Sequence, residues 1–186
     1  MSARKALVVL ADGFEDMEAV TAIDVLRRGE VEVVVASLSR NGLDVAGAHG
    51  LRVRADAPFA QAAEETYDAI VLPGGPGTAA LKVSVPLLER LRRQKEEGRL
   101  ISAICAAPTV LVEAGVLEPG QHVTCYPTCV MELDRPSAGV PVVADGNVIT
   151  GQAPGSALLF SLVVLQALAG EATAMKVARC MVTDVL

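Results

Sequence analysis

LISAICAAPTVLVEAG, residues 100–115, decides how the rest of the chain is read. Leu100–Ile104 is a short apolar run with the length and composition of a buried strand. Pro108 stands where the first turn of a helix begins, and the helix it opens stops at Gly115. Cys105 falls at the joint, with small neighbours on both sides: Ala103 before it, Ala106 and Ala107 after it. This is the steric pattern of a nucleophile elbow, a sharp strand-to-helix turn that lifts one side chain out of the sheet and tolerates no bulk beside it. The side chain then meets the first N–H groups of the helix, which lack an intrahelical acceptor and stabilise a thiolate. A reactive cysteine in such a place is expected to have a pKa lowered to roughly 3.5–7.5. The same position also suits a small buried residue, since free cysteine is often fully buried.

The segments around this elbow alternate strand and helix. Lys5–Ala11 is a continuous apolar run ending at Asp12-Gly13, and residues 15–29 follow as a helix with Met17, Val20, Ile23, Val25 and Leu26 as its core face. Glu30–Leu38 reads as a second strand and Asp68–Leu72 as a third, with LDVAG and LRVRA forming a small hairpin between them. Pro73–Gly77 is a glycine-rich loop, followed by helix through Gly98. Short strands are expected at 122–125 and within 141–151, then closing helices at Ala157–Ala169 and Glu171–Thr183. The alternation predicts one α/β domain over residues 1–186, doubly wound, with a mostly parallel sheet and helices on both faces. Ligands in such sheets bind outside the carboxyl ends of the strands. The Asp12–Glu18 region, Pro73–Gly77 and Cys105 all fall at those ends, so the topology can gather them into one pocket.

Composition agrees and excludes other classes. Hydrophobic residues make up 52% and aromatic residues 3%, so the core is built of Val, Leu, Ile and Ala, as buried parallel strands require. The net charge of −6 and the lack of a basic run argue against nucleic-acid binding. No apolar run has the length of a membrane span, and the amino-terminal segment reads as a first strand, so a cytoplasmic protein is expected. Cys105, Cys125, Cys129 and Cys180 lack the paired C-x-x-C spacing of a zinc site, and no metal is expected. Gly75-Pro76-Gly77-Thr78-Ala79-Ala80 imitates a dinucleotide fingerprint, but it follows the third strand and carries a proline, so no cofactor is expected.

Three features supply chemistry. Glu18, one turn into the first helix, is placed to hydrogen-bond the Cys105 sulfur or to act as general acid/base; a solvated helix charge is the alternative. Gly74-Gly75 can bring bare N–H groups close to a substrate oxygen, or can be only a tight turn. His49 and His122 are the only histidines, and His122 lacks the following acid of a glutaminase-type triad. Cys125 is an inert or a resolving thiol, and Cys180 reads as helix packing.

ALVVLADGFEDMEAVTAIDVLRRG, YDAIVLPGGPG, AICAAPTVL and ITGQAPGSA together resemble, in order and spacing, the ThiJ/PfpI superfamily, and within it the DJ-one (Parkinson's-associated deglycase) branch and its bacterial ThiJ-type relatives. The resemblance implies a flavodoxin-like sandwich that pairs into a homodimer through the first helix. It implies that Cys105 is the nucleophilic, easily oxidised cysteine and Glu18 its protonated partner, with the backbone of Gly74, Gly75 and Ala106 around the substrate. Glu15, Asp24 and Arg28 match a polar group near the dimer interface; His49, Tyr126 and Pro154 match positions around the pocket. The implied activity is that of a stress-protective glutathione-independent glyoxalase or deglycase acting on small dicarbonyls or glycated groups. The other implied role is a redox sensor or chaperone working through Cys105 oxidation. Ala106 stands where the protease-like branch has histidine, which disfavours peptidase activity. Tyr126 stands where the DJ-one branch often has histidine, and His49 and Gln152 replace arginines, so positive charge near the pocket is reduced.

Overall fold

The structure, a computed structural model, describes residues 4–185. Its centre is a seven-stranded sheet built from β1 (Lys5–Leu10), β2 (Glu32–Ser37), β5 (Ala57–Pro58), β6 (Ala69–Leu72), β7 (Leu100–Ile104), β8 (Val142–Asp145) and β9 (Val148–Gly151). The order is β5-β2-β1-β6-β7-β9-β8, parallel throughout except for the last pair. Side chains of β1 alternate between two cores, which is why its sequence is apolar without interruption. Ala6, Val8 and Leu10 face the layer of α1 (Asp16–Arg28), α6 (Ala157–Ala169) and α7 (Glu171–Cys180). Leu7 and Val9 face α2 (Phe59–Ala62), α3 (Thr78–Lys82), α4 (Val85–Glu96) and α5 (Pro108–Ala114). The hairpin is β3 (Asp44–Ala46) paired antiparallel to β4 (Arg52–Arg54). It is pinned to the start of α1 by Asp16, whose carboxylate accepts the N–H groups of His49 at 3.0 Å and Leu51 at 2.9 Å.

The doubly wound, mostly parallel sheet is the expected one. Several boundaries differ for identifiable reasons. The second strand starts at Glu32, because Glu30 has φ 61° and belongs to the turn that ends α1. The helix expected through Gly98 is two helices, since Pro86 in the first turn of α4 has no N–H to continue a helix from α3. Residues 122–125 form one isolated bridge, Val123 to Ser137; the Thr124 N–H goes to the Thr150 side-chain hydroxyl at 2.9 Å and not to a main-chain carbonyl of the sheet. Cys180 is exposed, because the buried stripe of α7 is Ala174, Val177 and Ala178.

The core face of α1 also differs from expectation. It consists of Glu18, Ala19, Ala22, Val25 and Leu26. Ala19 and Ala22 permit close packing in the layer that contains α6, while Met17 and Val20 point outward at 59% and 43% exposure. Among the described residues, no helix is long and apolar enough to cross a membrane.

Candidate active site

The carboxyl ends of β1, β6, β7 and β9 meet at Cys105. Its φ is +65°, in the left-handed region that a residue with a Cβ rarely occupies, so the sharp turn read from the alanine flanks is present. Two main-chain hydrogen bonds hold it there: the Cys105 N–H donates to the Gly151 carbonyl at 2.9 Å, and its carbonyl accepts from the Tyr126 N–H at 2.7 Å. The side chain is buried, with 7% of the residue exposed. The N–H groups of Gly75 and Ala106 lie near the sulfur and favour its charged form. Gly75 reaches this position through a φ of +86°, at which a side chain would be strained.

Glu18 arrives from the first turn of α1 and is 1% exposed. Its Oε2 accepts the Gly74 N–H at 2.7 Å, while Oε1 is buried without a partner of hydrogen-bond geometry. A proton on the carboxyl is therefore carried by Oε1, because Oε2 is already an acceptor. Glu15 caps α1, its Oε2 accepting the Glu18 N–H at 2.7 Å, and its own N–H donates to the Gly74 carbonyl at 2.9 Å. Glu15 thus fixes the backbone of Glu18 against the Pro73–Gly77 loop.

Burial is the main cause that pushes Glu18 up to about 7, opposed by the Gly74 hydrogen bond and the adjacent Cys105 thiol, with the nearby Glu15 charge adding a smaller push upward. Burial, followed by the Glu18 charge, pushes the Cys105 thiol up to about 12. This corrects the expectation of a lowered thiol pKa: the helix N–H groups are present, but a buried carboxylate stands beside the sulfur. The pair loses one proton near neutrality and keeps the second, because two adjacent negative charges in a buried site repel. With Glu18 protonated, that repulsion is gone and the sulfur is left with the Gly75 and Ala106 donors.

Stability should report this. Glu18 titrates at its ordinary value of 4.5 in the unfolded chain and at about 7 in the fold, so the folded state holds more protons between these values. The stabilisation is complete below the unfolded value and is lost as pH rises through the folded one, an effect of about 3 kcal/mol. Urea unfolding of wild type and Glu18→Gln should show the difference between the two proteins falling by that amount from acid to neutral pH. A constant difference would mean that Glu18 is not perturbed.

The other anticipated residues divide. Tyr126 adjoins the site through its bond to the Cys105 carbonyl, with its side chain exposed. Pro154 opens a short 3-10 turn just past the carboxyl end of β9. His49 is exposed on the hairpin, and no hydrogen bond joins its ring to Cys105 or Glu18 among the described residues. Asp24 and Arg28 pair with each other at 2.7 Å on the exposed side of α1 and do not meet Glu15, which is at the buried end of the helix. His122 pairs with Asp145 at 3.1 Å, beyond the amino end of β9, whereas Gly151 at the other end of that strand holds Cys105. Gly151 was absent from the sequence-based candidates; its signal was the VITG run ending a strand before a proline turn.

A model of the DJ-1/PfpI family matches residues 4–167. The chain belongs to the DJ-1/PfpI family. It is 41% identical over 180 residues to protein dj-1beta of Drosophila melanogaster, with 95% of each chain covered. The crystal structure of that fly protein superimposes with a TM-score of 0.92 at 39% identity, covering 98% of this chain and all of the other. A Caenorhabditis elegans member named a glutathione-independent glyoxalase is 34% identical over 178 residues, covering 91% of this chain and 92% of its own. A deglycase of Pyrococcus abyssi is 34% identical over 156 residues, covering 81% and 91%. The fold of this DJ-1/PfpI member is thus the flavodoxin-like one that the resemblance implied.

Proposed function

We propose that this DJ-1/PfpI member converts small dicarbonyls such as methylglyoxal to hydroxy acids, as a glutathione-independent glyoxalase with deglycase capacity, using Cys105 as nucleophile and Glu18 as proton carrier. The observation that carries this reading is the buried Glu18 carboxyl, held by the Gly74 N–H beside the Cys105 sulfur at the end of a strained elbow, with the Gly75 and Ala106 N–H groups nearby. The relatives named glyoxalase and deglycase support the reaction class. Sulfur attacks the aldehyde carbon, and the carbonyl oxygen takes the Glu18 proton, giving a hemithioacetal. The Glu18 carboxylate then removes the proton from that carbon and returns it to the adjacent one, leaving a thioester. Water cleaves the thioester to the hydroxy acid and restores the thiol, so the reaction consumes one water and needs no external oxidant or reductant. Among the described residues neither histidine hydrogen-bonds to Cys105 or Glu18, which disfavours a Cys–His peptidase mechanism. The test is lactate formation from methylglyoxal by the purified protein, followed by NMR. Multiple turnovers are expected, and consumption limited to one adduct per chain would sink the proposal.

Oxidation of Cys105 is a second reading, favoured by the same donors: sulfinate oxygens would accept from Gly75 and Ala106. In this role the protein is a redox sensor or stress chaperone. Two equivalents of peroxide convert the thiolate to sulfinate and release two waters. Mass spectrometry after mild peroxide should find dioxidation on Cys105 before the exposed Cys180; the opposite order removes this reading.

The outward Met17 and Val20 support a homodimer through α1. Beside them is a groove of about 290 Å³ lined by Val20, Ile23, Val35 and Val53, with Asp24 and Arg27 at its polar part. An apolar patch rimmed by opposite charges suits a two-fold contact with its own copy. Sedimentation should give a dimer at micromolar concentration and a monomer for Val20→Asp; a wild-type monomer counts against the interface.

A further inference from the structure

Residues 122–126 lie outside the sheet, yet every second N–H of this segment is tied to it. The His122 N–H donates to the Asp145 carboxylate at 2.9 Å, the Thr124 N–H to the Thr150 hydroxyl at 2.9 Å, and the Tyr126 N–H to the Cys105 carbonyl at 2.7 Å. The spacing of two is that of a strand, but the first two acceptors are side chains. Thr150 is paired with Ala103 of β7 on one side and with Val143 of β8 on the other, so its main chain is committed to the sheet and its hydroxyl receives the segment. Thr124 and Thr150 are both fully buried, whereas the His122 side chain is exposed. The Thr124 hydroxyl is used elsewhere, donating to the Val140 carbonyl at 2.8 Å. A buried N–H that loses its acceptor bears its full desolvation cost, so Thr124 stays where Thr150 places it. Two residues on, the Tyr126 N–H is one of the two main-chain bonds that hold Cys105 at its φ of +65°. The acceptor of the other, the Gly151 carbonyl, belongs to the residue after Thr150. Both brackets of the elbow thus lead back to Thr150, and strain of this kind persists only where the surroundings over-determine it.

We propose that Thr150 is a positioning residue: its hydroxyl, by fixing Thr124, keeps the Tyr126 N–H on the Cys105 carbonyl and so sets the elbow from which the sulfur reacts. It acts through the main chain, and among the described residues it makes no hydrogen bond to the side chain of Cys105 or Glu18. Its effect on turnover rests on the glyoxalase reading; its effect on the elbow does not.

Thr150→Val keeps the shape and removes the acceptor, and Thr150→Ser keeps the acceptor. Amide hydrogen exchange and methylglyoxal turnover are measured on both variants and wild type. In Thr150→Val the Cys105 and Tyr126 amides should exchange about ten-fold faster or more, beyond any change in the amides of β1. Turnover should fall about ten- to a hundred-fold in kcat with KM little changed, and Thr150→Ser should restore both. Exchange at Cys105 and Tyr126 that rises no more than in β1 assigns Thr150 to general stability and overturns the proposal. Turnover at the wild-type rate in Thr150→Val also overturns it, as does a loss in Thr150→Ser as deep as in Thr150→Val. A wild type without turnover strikes the glyoxalase reading alone, and the exchange comparison then decides the positioning. If the valine variant does not fold, Thr150→Ala against Thr150→Ser makes the same comparison.

Discussion

Glu18→Gln turns over methylglyoxal about a hundred to ten thousand times more slowly than wild type, and Cys105→Ala does not turn it over at all. The two losses have different origins. Without the sulfur no hemithioacetal forms. Without the carboxyl the sulfur still adds to the aldehyde, its oxyanion taking a proton from water, but nothing moves the proton between the two carbons, since the amide of glutamine neither accepts nor releases one. Thiolate absorbance separates this from a mere change in nucleophile. In wild type, burial and the Glu18 charge hold the thiol up at about 12. Glu18→Gln and Glu18→Leu both remove the charge, so in both the thiol should ionise at lower pH than in wild type. Glutamine also offers an N–H donor to the sulfur, so its shift should be the larger. A Glu18→Gln protein with more thiolate and less turnover identifies Glu18 as the proton carrier. Turnover at the wild-type rate in that variant would assign Glu18 a packing role alone.

Gly74→Ala should disable the elbow from the loop that follows the neighbouring strand β6. A Cβ added there comes to 2.7 Å from the Cys105 Cβ and 2.9 Å from both the Ala106 nitrogen and the Ile104 carbonyl oxygen. The neighbours are main chain and the first side-chain atom, so none can rotate away. The cost should be about 3 kcal/mol, at the upper end for overpacking, which lowers the melting midpoint by roughly 6–12 °C in a chain of this size. Relief moves the Cys105–Ala106 peptide, and a displacement of the reacting group by about 1 Å can cost about a hundred-fold in rate. Gly155→Ala, with nothing within 4 Å of the added Cβ, is the control and should leave the midpoint unchanged. Equal midpoints for the two variants would show that the close approach at Gly74 is relieved elsewhere without cost.

The elbow was legible because its signal is local. Small residues beside Cys105 and a proline three positions on describe a turn that neighbours in the chain enforce by sterics. The parallel sheet was legible for a similar reason: uninterrupted apolar runs such as ALVVL are what two covered faces require. The hairpin was bounded by its glycines. Where the reading of α1 went astray, size was the missing information. Met17 and Val20 are more hydrophobic than Ala19 and Ala22, yet the alanines face inward because the helix layer leaves little room there.

By itself, then, the sequence determined the strand–helix alternation, the joint at Cys105 and the family to which the chain belongs, since each is written in residues close together or in the order of motifs. Tertiary structure alone decided the ionisation of the Cys105–Glu18 pair, the face of α1 that meets solvent and the hydrogen bond from Thr124 to Thr150. Glu18 and the Gly74 that holds it are 56 positions apart. Its pKa depends on how much water the fold removes and which charges it brings near, and desolvation is a property of everything that packs around a group, not of its neighbours along the chain.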